Sequence, residues 1–322
     1  MKDRFAGFAG VVTGYNLLVI LWGAYVRATG SGAGCGSHWP LCNGEVVPRS
    51  ATVEMMVEFT HRITSGVALV LVVALWFWAR RARPSGHIAR TGATLSVVFI
   101  LVEALLGAGL VLFELVADDA SAFRAVSMVL HLVNTFLLIG VLGLTTWWAM
   151  DGERPRIARS DRRVWLLGVA MLGLLVVGAT GAIAALGDTL FPATSLEQGL
   201  RESFSSNSHI LLRLRKYHPL MAILTGLYVV FLTRQLASTG SDKVKRLASV
   251  AGIIYLLQLA IGATNMILLA PVATQMLHLL FADLVWINLV VLAAAVLVPE
   301  EMAGAPSRTA GGRLVSASSG NA

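Results

Sequence analysis

The chain has 322 residues, of which 56% are hydrophobic and 13% are charged, and its formal net charge is +7. A soluble domain carries roughly 25% charged residues, so this composition excludes an ordinary water-soluble protein and indicates an integral membrane protein. The positive charge is a signal of membrane topology, and it does not require a nucleic-acid partner.

Apolar stretches long enough to cross the hydrocarbon core, at about 20 residues each, occur eight times along the chain. They lie near residues 8–26, 59–79, 93–113, 126–149, 164–186, 216–236, 248–269 and 275–297. Backbone polar groups in lipid must be satisfied within the segment, and regular β alternation is absent. The sequence therefore predicts an all-α integral membrane protein with eight transmembrane helices.

The two ends of the chain are predicted to behave differently. The first stretch follows Lys2 and Arg4, as in a signal peptide, but it continues to about Val26 and has a counterpart in the second half. We therefore predict an uncleaved first helix. Residues 299–322 are rich in Gly, Ser and Ala and have no apolar face, which predicts a disordered cytoplasmic tail.

Lys and Arg counts predict the orientation in the cell membrane. With the N-terminus inside, the cytoplasmic segments hold 17 of the 25 basic residues. This imbalance predicts that both termini are cytoplasmic.

An internal repeat organises the chain. Leu101–Ala108 in the third span resembles Leu256–Ala263 in the seventh at an offset of 155 residues, and Gly23-Ala24 matches Gly178-Ala179 at the same offset. The repeat predicts two pseudo-symmetric four-helix bundles. Their predicted bounds are residues 1–150 for the N-terminal unit, 151–163 for a basic cytoplasmic linker and 164–298 for the C-terminal unit.

Four histidines lie near the outer ends of the second, fourth, sixth and eighth spans. They are His61, His131, His218 and His278. An imidazole in hydrocarbon is costly unless it is hydrogen-bonded or bound to a metal, and two facing imidazoles in a helical bundle are good axial ligands for haem iron. The pattern predicts one metal or haem site in each unit; the alternative is four histidines that hydrogen-bond between helices. The other histidines, predicted to be surface residues, are His38, His87 and His209.

The two predicted sites differ in charge. Glu58 precedes His61 by three residues and shares its helix face, whereas Arg215 stands at the equivalent position, 157 residues later. A carboxylate beside iron can transfer protons, and a cation suits porphyrin propionates. We therefore predict the reaction in the N-terminal unit and a resident cofactor in the C-terminal unit. The alternative role for Glu58 is an ion pair with Arg62 or Arg27.

Cys35 and Cys42 are the only cysteines, and both lie in the first outer loop. An extracytoplasmic position permits a disulfide. Two roles are open for this pair: a structural staple of a short loop and thiol–disulfide exchange.

Three motifs resemble those of the bacterial haem A synthase family. They are Val26–Gly32 (VRATGSG), Trp39–Gly44 (WPLCNG) and Glu58–Arg62 (EFTHR). The resemblance covers all eight spans and leaves out only the tail. It implies an oxidoreductase that converts a methyl group of haem O, through a hydroxymethyl intermediate, to the formyl group of haem A for cytochrome oxidase.

The resemblance also implies roles for individual residues. His61 and His131 would be the axial ligands of the haem O substrate, and His218 and His278 those of a haem b cofactor. Glu58 would be the active-site carboxylate, and Cys35 would pair with Cys42. Support or propionate contacts are expected from Arg27, Arg62 and Arg215.

This chain departs from the family pattern in two places. Many members have Cys-Pro-Asp-Trp where this chain has Cys35–Trp39 (CGSHW), so no role is carried over to an aspartate there. Some members have a second cysteine pair in the loop equivalent to residues 187–215, which has none here. Within that loop, His209–Arg215 is amphipathic and is predicted to lie along the membrane interface.

The expected partners are the haem O substrate, membrane lipid, an unidentified electron donor or acceptor and, by the resemblance, the haem O synthase farnesyltransferase. A homo-oligomer is left open. Two other classes compete with the enzyme: a di-haem electron-transfer protein and a transporter built from repeats. The single carboxylate Glu58 favours the enzyme over the first, and the lack of broken helix pairs at mid-membrane argues against the second.

Overall fold

The computed structural model describes residues 3–49, 52–151 and 154–298. Within these ranges the chain is α-helical and contains no β-strand, as the sequence predicts. The α-helices of this part are α1 (Arg4–Ala28), α2 (Val53–Ala82), α3 (Ile88–Leu112), α4 (Ala122–Asp151), α5 (Arg162–Leu190), α6 (Leu196–Phe204), α7 (Ile210–Arg215), α8 (Tyr217–Thr239), α9 (Asp242–Ile267) and α10 (Val272–Val296).

Eight segments of the described chain are long and apolar enough to cross a membrane, and α7 with α8 makes one of them, Ile210–Thr239. The predicted eight transmembrane helices are confirmed. Several of these helices begin earlier than predicted. Their first turns contain polar residues, and a side chain that caps the helix N-terminus stabilises them. Thr52 accepts the N–H of Met55 at 3.3 Å to begin α2, and Ser241 begins α9 in the same way.

Each half of the sequence arranges its long helices in the same order. In the first half, α1 and α3 each pack against both α2 and α4; in the second, α5 and α9 each pack against both α8 and α10. Helices α2 and α4 thus stand opposite each other, as do α8 and α10. The halves meet where α4 packs against α5 and α10 and where α1 packs against α10. Their division into two separate units remains a prediction.

The centre of the molecule lies between α4 and α10. The Trp286 ring stacks on Phe136 with 5.5 Å between ring centroids, and its Nε1–H donates to the Phe136 carbonyl at 2.5 Å. Gly140 makes this approach possible, because a Cβ atom there would lie 2.7 Å from Trp286 Nε1. Small residues at such crossings let membrane helices come close together.

The segment between α5 and α8 is folded rather than extended. Helices α6 and α7, which the sequence did not predict, lie in it. Leu211 and Leu212 are buried, and Leu211 packs with Leu186 and Ala125. Ile210 of the same segment is exposed, so the protein covers only part of its apolar face, and the placement of His209–Arg215 along the membrane interface stays a prediction.

The predicted tail, residues 299–322, lies outside the described residues, as do residues 152 and 153 of the predicted linker. The rest of the linker runs beside the end of α10, where the Arg156 N–H donates to the Leu297 carbonyl at 2.8 Å.

Candidate functional site

Each of the four intramembrane histidines lies against a glycine of a neighbouring helix. A Cβ atom on that glycine would approach the imidazole Cε1 to 2.9 Å for Gly23 and His61, 3.9 Å for Gly107 and His131, 3.0 Å for Gly181 and His218, and 2.7 Å for Gly262 and His278. Approaches of 3.0 Å or less leave almost no room for a side chain, so glycine is what allows three of these rings to occupy their positions.

This arrangement bears on one pairing within the repeat. Gly178, which the repeat aligned with Gly23, packs against Phe136 instead of a histidine. Gly181 lies against His218, and its offset from Gly23 is 158 residues, close to the 157 between the two histidines. By its contact with a histidine, Gly181 is the counterpart of Gly23, while the sequence match of Gly23-Ala24 with Gly178-Ala179 stays a prediction.

In the second half, His218 and His278 face each other from α8 and α10. Their ring centroids are 6.0 Å apart and their planes are at 85°. His218 Nδ1 lies 3.1 Å from the Val177 carbonyl, so the Nδ1–H tautomer donates there and leaves Nε2 free. His278 Nε2 lies 3.5 Å from Gln258 Nε2.

In the first half, His61 and His131 stand on the opposed helices α2 and α4. The Nδ1 atoms of both rings are buried without a regular hydrogen bond. His131 Nδ1 is 3.4 Å from Glu103 Oε1, which is ion-pair distance but a poorly aligned hydrogen bond. A small rotation of either side chain would align it. Glu103 lies within the repeated segment Leu101–Ala108, and the sequence predictions give it no role. A carboxylate inside a transmembrane helix is nevertheless a signal of function.

The pair of His218 and His278 fits a haem better than a metal held by protein alone. Imidazole nitrogens coordinate metals at about 2 Å, so two rings on one ion have centroids about 6 Å apart, as His218 and His278 do. No group of three or more His, Cys, Asp or Glu in the described residues could hold a metal. Two histidines suffice only when another molecule, such as a porphyrin, supplies the remaining ligands.

Glu58 and Arg62 form an ion pair beneath the first outer loop. Arg62 Nη2 lies 2.5 Å from Glu58 Oε1, and Glu58 Oε2 accepts the Cys35 N–H at 2.8 Å. Arg62 Nη1 also donates to the carbonyls of His38 and Leu41, at 2.5 and 2.6 Å. Of the two partners proposed for Glu58, the structure selects Arg62.

Cys35 and Cys42 are joined by a disulfide, and both residues are buried. Burial shields the sulfurs from an attacking thiolate, which favours the structural role over thiol–disulfide exchange.

Arg27 connects the two halves of the sequence. Its Nη1 donates to the Ala185 carbonyl at 2.8 Å and to Thr189 Oγ1 at 2.7 Å. Its Nη2 donates to Gln275 Oε1 at 2.8 Å. These bonds attach α1 to the outer ends of α5 and α10.

Arg215 anchors the outer loop of the second half. Its Nη1 lies 2.6 Å from Asp188 Oδ1, and its Nη2 and Nε donate to the Gly199 carbonyl at 2.5 Å and to Ser203 Oγ at 3.1 Å. Glu58 and Arg215, which are equivalent in the repeat, thus both hold an outer loop, with opposite charges.

A family model described as cytochrome oxidase assembly protein, COX15-CtaA, matches residues 6–290. The chain belongs to the COX15-CtaA family. The match includes all four intramembrane histidines, Glu58, Glu103 and both cysteines.

Relatives of this COX15-CtaA protein carry two different names. A "Heme A synthase" from an Exiguobacterium species is 31% identical over 73% of this chain and 75% of its own length. A "Heme A synthase" from Bacillus licheniformis is 34% identical over 62% and 66%. A "Protoheme IX farnesyltransferase" from Thermus thermophilus is 49% identical over 92% of this chain, and the match spans only 49% of that relative's length.

Proposed function

We propose that this chain is a haem A synthase, which oxidises a methyl group of haem O to a formyl group through a hydroxymethyl intermediate. The observation that carries the proposal is the pair of opposed histidines, each against a neighbouring glycine, in both halves of a COX15-CtaA protein. With water as the source of the added oxygen atom, the conversion releases four electrons and four protons, two of each at each stage, and an external acceptor has to take the electrons.

Under this proposal, haem O binds between His61 and His131, and a haem b cofactor binds between His218 and His278. The assignment is supported by two carboxylates placed beside the first pair: Glu58 precedes His61 by three residues, and Glu103 Oε1 lies 3.4 Å from His131 Nδ1. A carboxylate can accept the protons that leave the methyl group during oxidation. Bound haem b would supply one-electron transfer between the substrate site and an external electron donor or acceptor.

The residues of the chain then have distinct tasks. The histidines bind and orient the porphyrins, and the glycines set how far each ring reaches. Glu58 holds or moves a proton near the methyl group undergoing oxidation. The three arginines Arg27, Arg62 and Arg215 act as supports, because their guanidinium groups already bind protein oxygens.

The substrate would come from a farnesyltransferase, which is the class of enzyme that makes haem O. The Thermus relative supports this partner, since a segment 49% identical to this chain fills about half of a longer protein named for that activity. The other half is free to carry the transferase, so the name of that relative does not make this chain a transferase. In the Thermus relative, haem O would pass between two parts of one polypeptide. For this chain, it would pass between two membrane proteins in contact.

We further propose that the protein lies in the cell membrane with both termini in the cytoplasm, as its distribution of Lys and Arg predicts. All four histidines would then lie toward the outer side. An even number of spans requires the two termini to share one side, whichever side that is.

The test is to purify the protein, extract and identify its haems by chromatography, and incubate it with haem O. We expect haem b in the isolated protein and conversion of haem O to hydroxymethyl and formyl products. His218→Ala and His278→Ala should each remove the low-spin haem b signal from optical and EPR spectra. His38→Ala, in the exposed outer loop, is the control and should change neither.

Each competing class gives a different result in the same experiment. Haem b alone, with haem O returned unchanged, would identify an electron-transfer protein. A preparation that contains no haem and binds none would favour a transporter.

A further inference from the structure

The two histidine pairs differ in what stands behind their second histidine. Glu103 on α3 lies one helical turn before Gly107, and its Oε1 is 3.4 Å from His131 Nδ1. In the second half the equivalent residue, 155 positions later, is Gln258, whose amide is 3.5 Å from His278 Nε2. A carboxylate therefore occurs behind one pair and a neutral amide behind the other.

The first half also supplies hydrogen-bond donors to this carboxylate. Asn134 Nδ2 donates to Glu103 Oε2 at 2.6 Å, and Thr135 Oγ1 donates to Oε1 at 2.5 Å. Asn134 is itself fixed, because it also donates to the Phe99 carbonyl at 2.9 Å. The donors come from the helix that carries His131, three and four residues farther along.

The second half lacks both donors. The residues three and four positions after His278 are Phe281 and Ala282, which have no polar side-chain group. The two halves thus differ at three positions: Glu103, Asn134 and Thr135 of the first half have no counterpart of the same chemistry in the second. A carboxylate in apolar surroundings is costly unless it is hydrogen-bonded, so the donors are what make Glu103 tolerable at this position.

Carboxylates that accept the outer N–H of a metal-bound histidine fix its tautomer and ring orientation and raise its basicity. A more basic imidazole donates more charge to iron and stabilises the ferric state. The Gln258 amide nitrogen has no net charge and faces His278 Nε2 as a donor, so it does not raise the basicity of that ring. The same iron porphyrin would therefore be harder to reduce with His131 as a ligand than with His278.

We propose that Glu103 is a positioning residue that holds His131 with its Nδ1–H toward the carboxylate and its Nε2 toward the substrate iron, and that it lowers the midpoint potential of this iron below that of the resident haem. Asn134 and Thr135 support this role, because both donate hydrogen bonds to the Glu103 carboxylate. The inference rests on the proposed function, because it takes His131 as a ligand of the substrate iron.

The experiment is a potentiometric titration of the full-length protein, isolated with its haem b and then loaded with haem O, followed by optical and EPR spectra. The two haem components are first assigned: His131→Ala should remove one and His278→Ala the other. Glu103→Gln should then shift the His131-dependent component to a more positive midpoint potential and change its EPR g-values. The His278-dependent component should stay where it is.

The repeat offers a matched control in Gln258→Glu. It places a carboxylate behind His278 without the Asn and Thr donors, so the His278-dependent component should move to a more negative potential. Thr135→Val removes the donor that shares Glu103 Oε1 with His131 and keeps the carboxylate charge, so it should shift the His131-dependent component in the opposite direction from Glu103→Gln, to a more negative potential. Thermal melting of each variant checks that the fold is retained.

The outcomes separate the inference from the proposed function. If His131→Ala retains both haem components, the ligand assignment fails, and the inference fails with it. If His131→Ala loses one component, but the same component keeps its potential and g-values in Glu103→Gln, the proposed function stands and only the role of Glu103 is overturned. Should Glu103→Gln fail to fold, the same decision rests on Thr135→Val.

Discussion

Glycines control the four histidines at the scale of single residues. In a transmembrane helix, glycine lets a neighbouring helix or ring approach the backbone closely. Gly181 and Gly262 are used in this way, since a Cβ atom on either would lie 3.0 Å or less from an imidazole carbon. Two helices that are already packed cannot retreat easily, so the added methyl group would displace the ring.

Gly181→Ala should therefore weaken haem binding as a substitution of His218 would, although it leaves His218 itself unchanged. The new Cβ would lie 3.0 Å from His218 Cε1 and 3.2 Å from Nδ1, which also disturbs the bond to the Val177 carbonyl. We expect a large loss of haem b per protein. Gly168→Ala on the same helix is the matched control, because nothing lies within 4 Å of its position. Equal haem content in the two variants would contradict the role of Gly181.

Glu58→Gln tests the proton-transfer role. Glutamine keeps an acceptor for the Cys35 N–H but loses the charge and the titratable proton. Turnover should fall by about 10²- to 10⁴-fold, the range for loss of a general acid or base, with hydroxymethyl product accumulating and haem content nearly unchanged. Arg62→Gln breaks the same ion pair and serves as the comparison. If Glu58→Gln makes haem A at the wild-type rate, Glu58 is only the partner of Arg62.

Sequence reasoning reaches some of these residues and misses others for a physical reason. Histidines and Glu58 stand out because ionisable groups are rare in apolar segments. Glu103 has the same signal, but its meaning depends on His131, about 28 positions away on the next helix. That contact exists only once α3 packs against α4. The contact of Gly181 with His218 is likewise visible only in the packed structure.

At the scale of elements, the loop between α1 and α2 and the loop between α5 and α8 are fixed to the helix ends by ion pairs. The first loop is held by Glu58 and Arg62, and the second by Arg215 with Asp188. These contacts explain why the long helices were predicted within a few residues while α6 and α7 were not. A long apolar helix is determined by local composition, whereas α6 and α7 depend on distant partners such as Ala125 and Leu186.

The disulfide adds to these contacts and does not replace them. In a Cys35→Ala, Cys42→Ala double variant, Arg62 still binds the carbonyls of His38 and Leu41. We expect a loss of about 2–3 kcal/mol from the chain-entropy effect, seen as a lower melting temperature, with measurable turnover in the folded protein. Turnover lost at an unchanged melting temperature and haem content would instead assign a redox role to the pair.

At the scale of the whole molecule, the two halves are joined at two depths. Arg27 binds α5 and α10 near the outer ends of the helices. Trp286 donates to the Phe136 carbonyl near the middle of α10. The wide helix contacts between α4, α5 and α10 could be inferred only from the structure, since apolar faces packed on protein and on lipid look alike in sequence.

Arg27→Gln should weaken the junction between the halves. The three hydrogen bonds of the partly buried Arg27 guanidinium are lost, because the glutamine side chain is shorter and uncharged. Hydrogen bonds to charged groups contribute about 1.5–3 kcal/mol each. We expect a clearly lower melting temperature in detergent. Arg201→Gln, whose exposed side chain pairs only with Glu197 among the ion pairs described, is the control and should have little effect. Equal melting of both variants would show that Arg27 does not support the junction.

Two attachments at different depths have a mechanical consequence. A body pinned at one point can tilt about it, but the bonds of Arg27 and Trp286 together resist both tilting and sliding of one half against the other. The distance between the two histidine pairs is then held by bonds within the protein. Electrons that pass between them would tunnel across a fixed gap, and a flat, bulky porphyrin would have to reach its ligands sideways from the lipid instead of through a cleft that opens between the halves.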